Sequence, residues 1–259
     1  MAEFEEEYAE IYDEIYASKN YRAECDFVAG LHKRLTGRSS PRSILDLGCG
    51  TGRHLSHFPS DAVRIGVDQS LSMVTKARDR GLAPIEFVHS RIGDFRDSRK
   101  FDLVYSLFHV INYHVSDTDL REFFLTIRSS LSPDGIAVID SWNRAAWAMD
   151  PPGDRVRFLR DDLSLIRATQ TSVDYPRDRV FLKILTFSRG PTGTFELLPI
   201  EEHEMRAFTS LSVAEMAAEV GLVVAESGPA YEWGRPPNQS DWFAWYALRI
   251  DSSIGFVLT

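Results

Sequence analysis

The chain opens on a polar stretch in which Tyr8, Tyr12 and Tyr16 recur at a spacing of four, with Ile11 and Ile15 beside them. That spacing puts the rings on one face of a helix, expected over residues 3–20. The helix either packs on the domain or closes over a cofactor with its hydroxyls turned inward. A second helix is expected over 21–35, with Phe27, Val28, Leu31 and Leu35 as its apolar stripe and Gly37 as its stop. The pattern then changes to short apolar runs at 43–47, 63–67, 85–88, 101–107 and 136–140, which read as strands. Helical patterns lie between them: a short one over 53–58, one capped by Ser70 with Met73, Val74 and Ala77 inward, and one from near Asp117. In the last, Leu120, Phe123, Phe124, Ile127 and Leu131 follow i, i+3, i+4, i+7, i+11. Ser132-Pro133-Asp134-Gly135 reads as a turn. This alternation predicts an α/β fold with a parallel sheet and helices on both faces.

After residue 140 the alternation stops. Strand-rich runs at 163–172, 179–188 and 194–208, with turn residues Asp178 and Gly190-Pro191-Thr192-Gly193, predict an antiparallel insertion of three or four strands. A helical pattern returns at 212–220, stopped by Gly221, and strands at 222–226 and 242–249 end the sheet. The expected organisation is a helical cap (1–40), an α/β core (41–152 and 209–259) and a β insertion (153–208). The insertion leaves the sheet after strand five, at the carboxyl ends of the strands, where ligands bind in such folds. It is a candidate lid or dimerisation surface, so a homodimer is one expected assembly.

The first strand runs into Asp46-Leu47-Gly48-Cys49-Gly50-Thr51-Gly52, and the second ends in Asp68. Glycines let a backbone turn sharply and approach a ligand closely, and an acid ending the second strand of a nucleotide-binding βαβ unit can accept from ribose hydroxyls. A glycine loop alone also suits a plain tight turn. Here, however, the spacing is G-x-G-x-G and not the dinucleotide G-x-G-x-x-G. Asp46 precedes the first glycine by two, and Gly93-Asp94-Phe95 follows the third strand.

Together these resemble the class I S-adenosylmethionine-dependent methyltransferases. The resemblance implies a Rossmann-like, seven-stranded sheet with an antiparallel last strand. It implies that Asp46, Gly48, Gly50 and Gly52 surround the methionine part of S-adenosyl-L-methionine, that Asp68 holds the ribose, and that Asp94 meets the adenine amino group. Cys49, Gln69, Met73, Phe95, Ser106 and Phe108 join the implied cofactor-binding set. The opening from Tyr8 to Tyr16, with Tyr21, is similar to the N,N-dimethyltransferases of nucleotide-linked amino sugars, which implies that Tyr12 and Tyr21 contact the cofactor and that Tyr16 sits at the reaction centre.

Composition narrows the partners. A net charge of -9 with no basic run argues against nucleic acid, whose phosphates need clustered Lys and Arg. No apolar run approaches the ~20 residues of a membrane span. Cys25 and Cys49 are the only cysteines, and a crosslink at Cys49 would obstruct the glycine loop, so reduced thiols and a cytoplasmic setting are expected. The acidic N-terminus is unlike a signal peptide.

The acceptor is then a small molecule. Displacement at a sulfonium methyl needs alignment and exclusion of water more than a catalytic triad, and none is visible. His109 and His114 are candidate bases. Tyr113, Trp142, Glu202 and Arg206 are candidate substrate contacts, although Trp142 can equally fill core and Glu202, Glu204 and Arg206 can form a solvated strand face with His203 opposite. No metal is expected, since no HxH or HxxxH spacing occurs. The favoured activity is N-methylation of an amine such as a nucleotide-linked amino sugar. An O- or C-methyltransferase, or a non-catalytic cofactor-binding regulator on the same fold, stays open.

Overall fold

The computed structural model describes residues 6–82, 84–160 and 163–253. Helices α1 (Glu6–Ile15) and α2 (Tyr21–Thr36) precede the sheet. The side chain of Tyr8, first of the tyrosine repeat, lies outside the described residues. Gly37 at φ 74° ends α2 by donating its N–H to the Lys33 carbonyl, as the sequence predicts. Strands β1 (Ser43–Leu47), β2 (Val63–Asp68), β3 (Ile85–His89), β4 (Phe101–Ser106) and β5 (Leu131–Trp142) alternate with helices α3 (Leu71–Asp79) and α4 (Asp117–Ser130). A short α5 (Arg144–Met149), unforeseen in the sequence, leads to β6 (Arg155–Phe158), β7 (Leu165–Asp174), β8 (Arg179–Arg189), β9 (Phe195–Leu197) and β10 (Glu201–Arg206). Helix α6 (Ser210–Glu219) and strands β11 (Leu222–Pro229) and β12 (Phe243–Ile250) complete the described chain.

Two sheets result. The larger has seven strands in the order β11-β12-β5-β4-β1-β2-β3, with β12 antiparallel to both its neighbours and the pairs among β1 to β5 parallel. Side chains that alternate along each strand go to opposite faces, and the core divides accordingly. Leu45, Val104, Ala137 and Tyr246 pack with Phe123, Phe124 and Ile127 of α4 and Val213 and Ala217 of α6. Ile44, Leu103, Ile136 and Trp245 pack with Val28 and Leu31 of α2 and Val74 and Ala77 of α3. The second sheet is antiparallel, in the order β10-β8-β7-β6, with β9 following β10's line along the same edge of β8.

Two local expectations are corrected. Residues 53–58 hold only a single 3₁₀ turn, Leu55–His57, because the chain has just left a turn built on three left-handed glycines and must descend directly to β2. Residues 132–135 are no free turn. They bulge within β5, where Phe101 pairs with Leu131 but Leu103 pairs with Ile136.

His32 shows a cost carried by the core. Its ring is fully buried in α2 and neither ring nitrogen has a hydrogen-bond partner. Burial holds its pKa below the usual 6.5. As pH falls through about 6.5 the unfolded imidazole takes up a proton that the folded one resists, so the native state loses stability. His32→Leu should therefore stabilise the protein by about 1–2 kcal/mol at pH 8, and its advantage in Tm over the wild type should widen at pH 5.5. A constant difference across that range would refute this account.

Candidate active site

The carboxyl ends of β1, β2, β4 and β5 meet α1 and the second sheet around a cavity of about 620 Å³, within the size range of small-molecule sites. Its floor is the glycine loop. The amides of Gly48 and Cys49 both donate to the Val67 carbonyl, at 2.8 and 3.0 Å, and Gly52 N–H closes on the Cys49 carbonyl at 2.9 Å. Gly48, Gly50 and Gly52 adopt φ 86°, 52° and 76°, a region that side chains resist. At Gly48 a Cβ would lie 2.6 Å from a methyl of Val110, whereas at Gly50 it would meet nothing within 4 Å. The Gly50 backbone thus faces open space.

Asp68 at the tip of β2 lines this floor. Its Oδ2 accepts from Gly50 N–H at 2.8 Å and its Oδ1 from Ser70 N–H at 2.9 Å. Burial raises its pKa, and the two amides oppose that shift by favouring the carboxylate. Beside it, Gln69 and Met73 line the wall. Met73 is placed there by the Ser70 cap on α3. Tyr12 of α1, Tyr16 in the turn just after it, Tyr21 at the start of α2, and Cys49 also reach the cavity. Both cysteines are free and buried.

Phe108, His109, Tyr113 and Trp142 line the opposite side. Burial lowers the pKa of His109 and keeps its imidazole neutral near pH 7. Phe108 packs edge-on to Tyr16 with ring centroids 4.9 Å apart. The Tyr16 hydroxyl accepts from Arg167 of β7 at 3.0 Å, joining the turn after α1 to the second sheet over the cavity.

The remaining sequence candidates fall outside the wall. Asp46 is buried beneath the loop. Ser106 is buried too, its Oγ donating to the Leu47 carbonyl at 2.7 Å to tie β4 to β1. Asp94 is exposed and Phe95 is buried in the core, so Ile92 occupies the wall in their place. His114, expected as a base or a solvated residue, is buried, with Nδ1 3.1 Å from Asp119 and its ring 4.7 Å from that of Phe123. It braces the start of α4. Glu202 points outward and pairs with Lys183, and Arg206 lies 2.5 Å from Asp117 and over Phe208. The predicted alternation of β10 holds, but its cavity face carries His203 and Met205.

Sequence reasoning also missed His54, which lines the cavity with its Nε2 2.8 Å from Glu24, and Arg155, Arg157 and Arg167 of the second sheet. The i, i+2 spacing of Arg155 and Arg157 was the available signal for a shared strand face.

Comparison with known proteins agrees with this architecture. Residues 44–135 match the family model described as a methyltransferase domain. A protein of Geobacillus sp. (strain WCH70) named as a methyltransferase is 30% identical over 227 residues, covering 85% of this chain and 90% of that one. The dTDP-3-amino-3,4,6-trideoxy-alpha-D-glucopyranose N,N-dimethyltransferase of Streptomyces venezuelae is 34% identical over 142 residues, 54% of this chain and 59% of the relative. The chain thus spans little more than half the length of such amino-sugar relatives. An S-adenosylmethionine-dependent methyltransferase from Clostridium acetobutylicum shares the fold, with a TM-score of 0.79 at 22% identity over 94% of this chain and 98% of that one.

S-adenosylmethionine suits the residues present. The open Gly50 backbone leaves room for it, Asp68 presents carboxylate oxygens to ribose donors, and Met73 with Ile92 supplies apolar walls for a purine. By sequence, fold and floor, the chain belongs to the class I S-adenosylmethionine-dependent methyltransferases.

Proposed function

We propose that the protein methylates the amino nitrogen of a nucleotide-linked amino sugar. The observation that carries this reading is the cation-rich wall facing the cofactor floor. Arg155, Arg157 and Arg167 line the cavity from adjacent strands in a chain whose net charge is -9. Arg155 and Arg157 have no ion-pair partner among the described residues. Guanidinium groups concentrated there favour a diphosphate-bearing acceptor over a neutral one. The amino-sugar N,N-dimethyltransferases among the relatives, whose names specify dTDP-linked substrates, support the same class.

When bound, the cofactor supplies a methyl group activated by its sulfonium. The chain's own residues do the rest. Tyr16, Phe108 and Trp142 exclude water from the reaction volume. His109, held neutral by burial, adds no second positive charge beside the sulfonium and offers the acceptor a hydrogen-bonding ring. The acceptor ammonium must lose a proton before its nitrogen can attack. The Tyr113 hydroxyl lies 3.4 Å from His203 Nδ1, and His203 Nε2 lies 3.2 Å from Glu201, a polar chain able to take that proton away from the cavity.

Steady-state kinetics with dTDP-linked 3- and 4-amino sugars and their nucleotide-free counterparts test the reading. Turnover should favour the nucleotide-linked acceptors. The double variant R155A/R157A should raise their KM by roughly 10- to 100-fold, the scale of one or two charge-assisted contacts. Its affinity for S-adenosylhomocysteine should stay within about twofold, since neither arginine belongs to the floor. Equal turnover of nucleotide-free sugars, or an unchanged KM, would overturn the assignment.

A further inference from the structure

Two pairs of adjacent residues take up left-handed backbone without being glycine: Phe108 and His109 at φ 67° and 63°, and Ala230 and Tyr231 at φ 34° and 61°. Such conformations are strained for side chains this size and persist only where the surroundings hold them. Both pairs converge on one carboxylate, that of Asp140 near the end of β5, which is 3% exposed. Asp140 Oδ1 accepts from His109 N–H at 2.7 Å, and Oδ2 accepts from Phe108 N–H at 3.0 Å and from the Tyr231 hydroxyl at 2.5 Å. Burial holds the Tyr231 phenol in its protonated, donating form, and Phe27 packs against its ring.

The strained turn decides where two cavity-lining rings sit. His109 stacks on Phe243 of β12, with centroids 4.5 Å apart and planes 14° from parallel. Phe108 meets Tyr16, just past the end of α1. Neither position follows from the strand that precedes them, because two consecutive left-handed residues reverse the chain's course after β4.

We propose that Asp140 is a positioning residue for methyl transfer: its carboxylate, clamped by Tyr231, holds the Phe108-His109 turn in its strained conformation and so fixes both rings at the cofactor-acceptor junction. The inference rests on the methyl-transfer reading for its kinetic consequence, but not for its structural one. An isosteric amide can accept at one atom only, and its NH₂ faces a backbone donor, so Asp140→Asn should release one arm of the turn.

The test compares wild type, D140N, Y231F, H109A and D140N/H109A as full-length chains, with backbone amide exchange and steady-state kinetics on S-adenosylmethionine and a dTDP-linked amino sugar. In D140N, exchange at residues 108 and 109 should accelerate roughly tenfold or more while the amides of β1, β4 and β5 keep their protection. The kcat should fall by roughly 100-fold with acceptor KM within about twofold, the signature of misplacement in place of lost binding. Y231F should move both readouts in the same direction by a smaller factor. The double variant should be little slower than H109A, because Asp140 acts through the turn. A kcat for D140N within twofold of wild type, multiplicative losses in the double variant, or accelerated exchange throughout the sheet would each overturn the proposal. Should D140N not fold, Y231F decides alone, and unchanged exchange and kcat in it would refute the clamp. Should the wild type methylate no amino sugar, the functional reading fails, while the exchange comparison still decides whether Asp140 holds the turn.

Discussion

Asp68→Ala is expected to weaken binding of S-adenosylhomocysteine by roughly 30- to 1,000-fold, equivalent to about 2–4 kcal/mol from the loss of charge-assisted hydrogen bonds. Two losses combine. The carboxylate lines the cavity where ribose donors would reach it. It also fastens the floor, accepting from Gly50 on the loop and from Ser70 at the start of α3, so its removal frees both segments from the geometry a nucleoside needs. Asp68→Asn should fall between the two proteins, since an amide oxygen can keep one of these bonds but not both. Isothermal titration with S-adenosylhomocysteine reads the effect, and melting curves separate it from unfolding. An Asp68→Ala affinity within threefold of wild type would remove Asp68 from the cofactor site.

Gly48→Ala should damage the loop through both backbone strain and a steric clash. The residue sits at φ 86°, where an alanine costs about 1–2 kcal/mol. Its Cβ would also fall 2.6 and 2.8 Å from the two methyls of Val110, and overpacking of that kind adds about 1–3 kcal/mol. The expected total of about 2–5 kcal/mol corresponds to a Tm roughly 6–15 °C lower for a chain of this size. Gly50→Ala provides the comparison, since it shares the left-handed backbone at φ 52° but meets nothing within 4 Å. Its loss should be limited to the backbone cost. Adding Val110→Ala to Gly48→Ala should recover the steric part and leave the strain. Equal melting temperatures for the two glycine variants would show that the Val110 contact does not constrain the loop. Because Val110 follows His109 directly, the same contact ties the cofactor floor to the proposed acceptor-facing turn.

The parallel core was readable because its signals are local. The apolar runs place β1 to β4 within one residue at each end and find the centre of β5, whose start lies five residues earlier than expected, and Ser70 and Gly37 cap the helices they were expected to cap. The G-x-G-x-G loop with Asp68 announced the floor, since left-handed turns demand glycine and an acid at the end of β2 has few other uses there. The second sheet was less legible. Alternation along β10 showed that His203 and Glu202 part company, but which face turns to the cavity depends on how the sheet is laid over the core, and no short-range pattern carries that information. Arg155 and Arg157 lie on β6, which is only four residues long and exposed throughout. His114 was misread for a related reason. In sequence it belongs to the same polar segment as His109, yet a 3₁₀ turn at Val110–Tyr113 carries it past the cavity to Asp119. Asp140 read only as the end of a strand, because its three donors come from residues about thirty and ninety positions away.

The most direct test of the account is the fate of the methyl group itself. The full-length protein would be incubated with S-adenosylmethionine carrying a carbon-13 methyl and a dTDP-linked amino sugar, and the product followed by NMR. The account predicts a labelled N-methyl resonance correlated to the sugar's amino-bearing carbon, formed only when both reactants and protein are present. Label appearing on a hydroxyl oxygen, or no transfer to any amino sugar by a protein that binds S-adenosylhomocysteine, would contradict it.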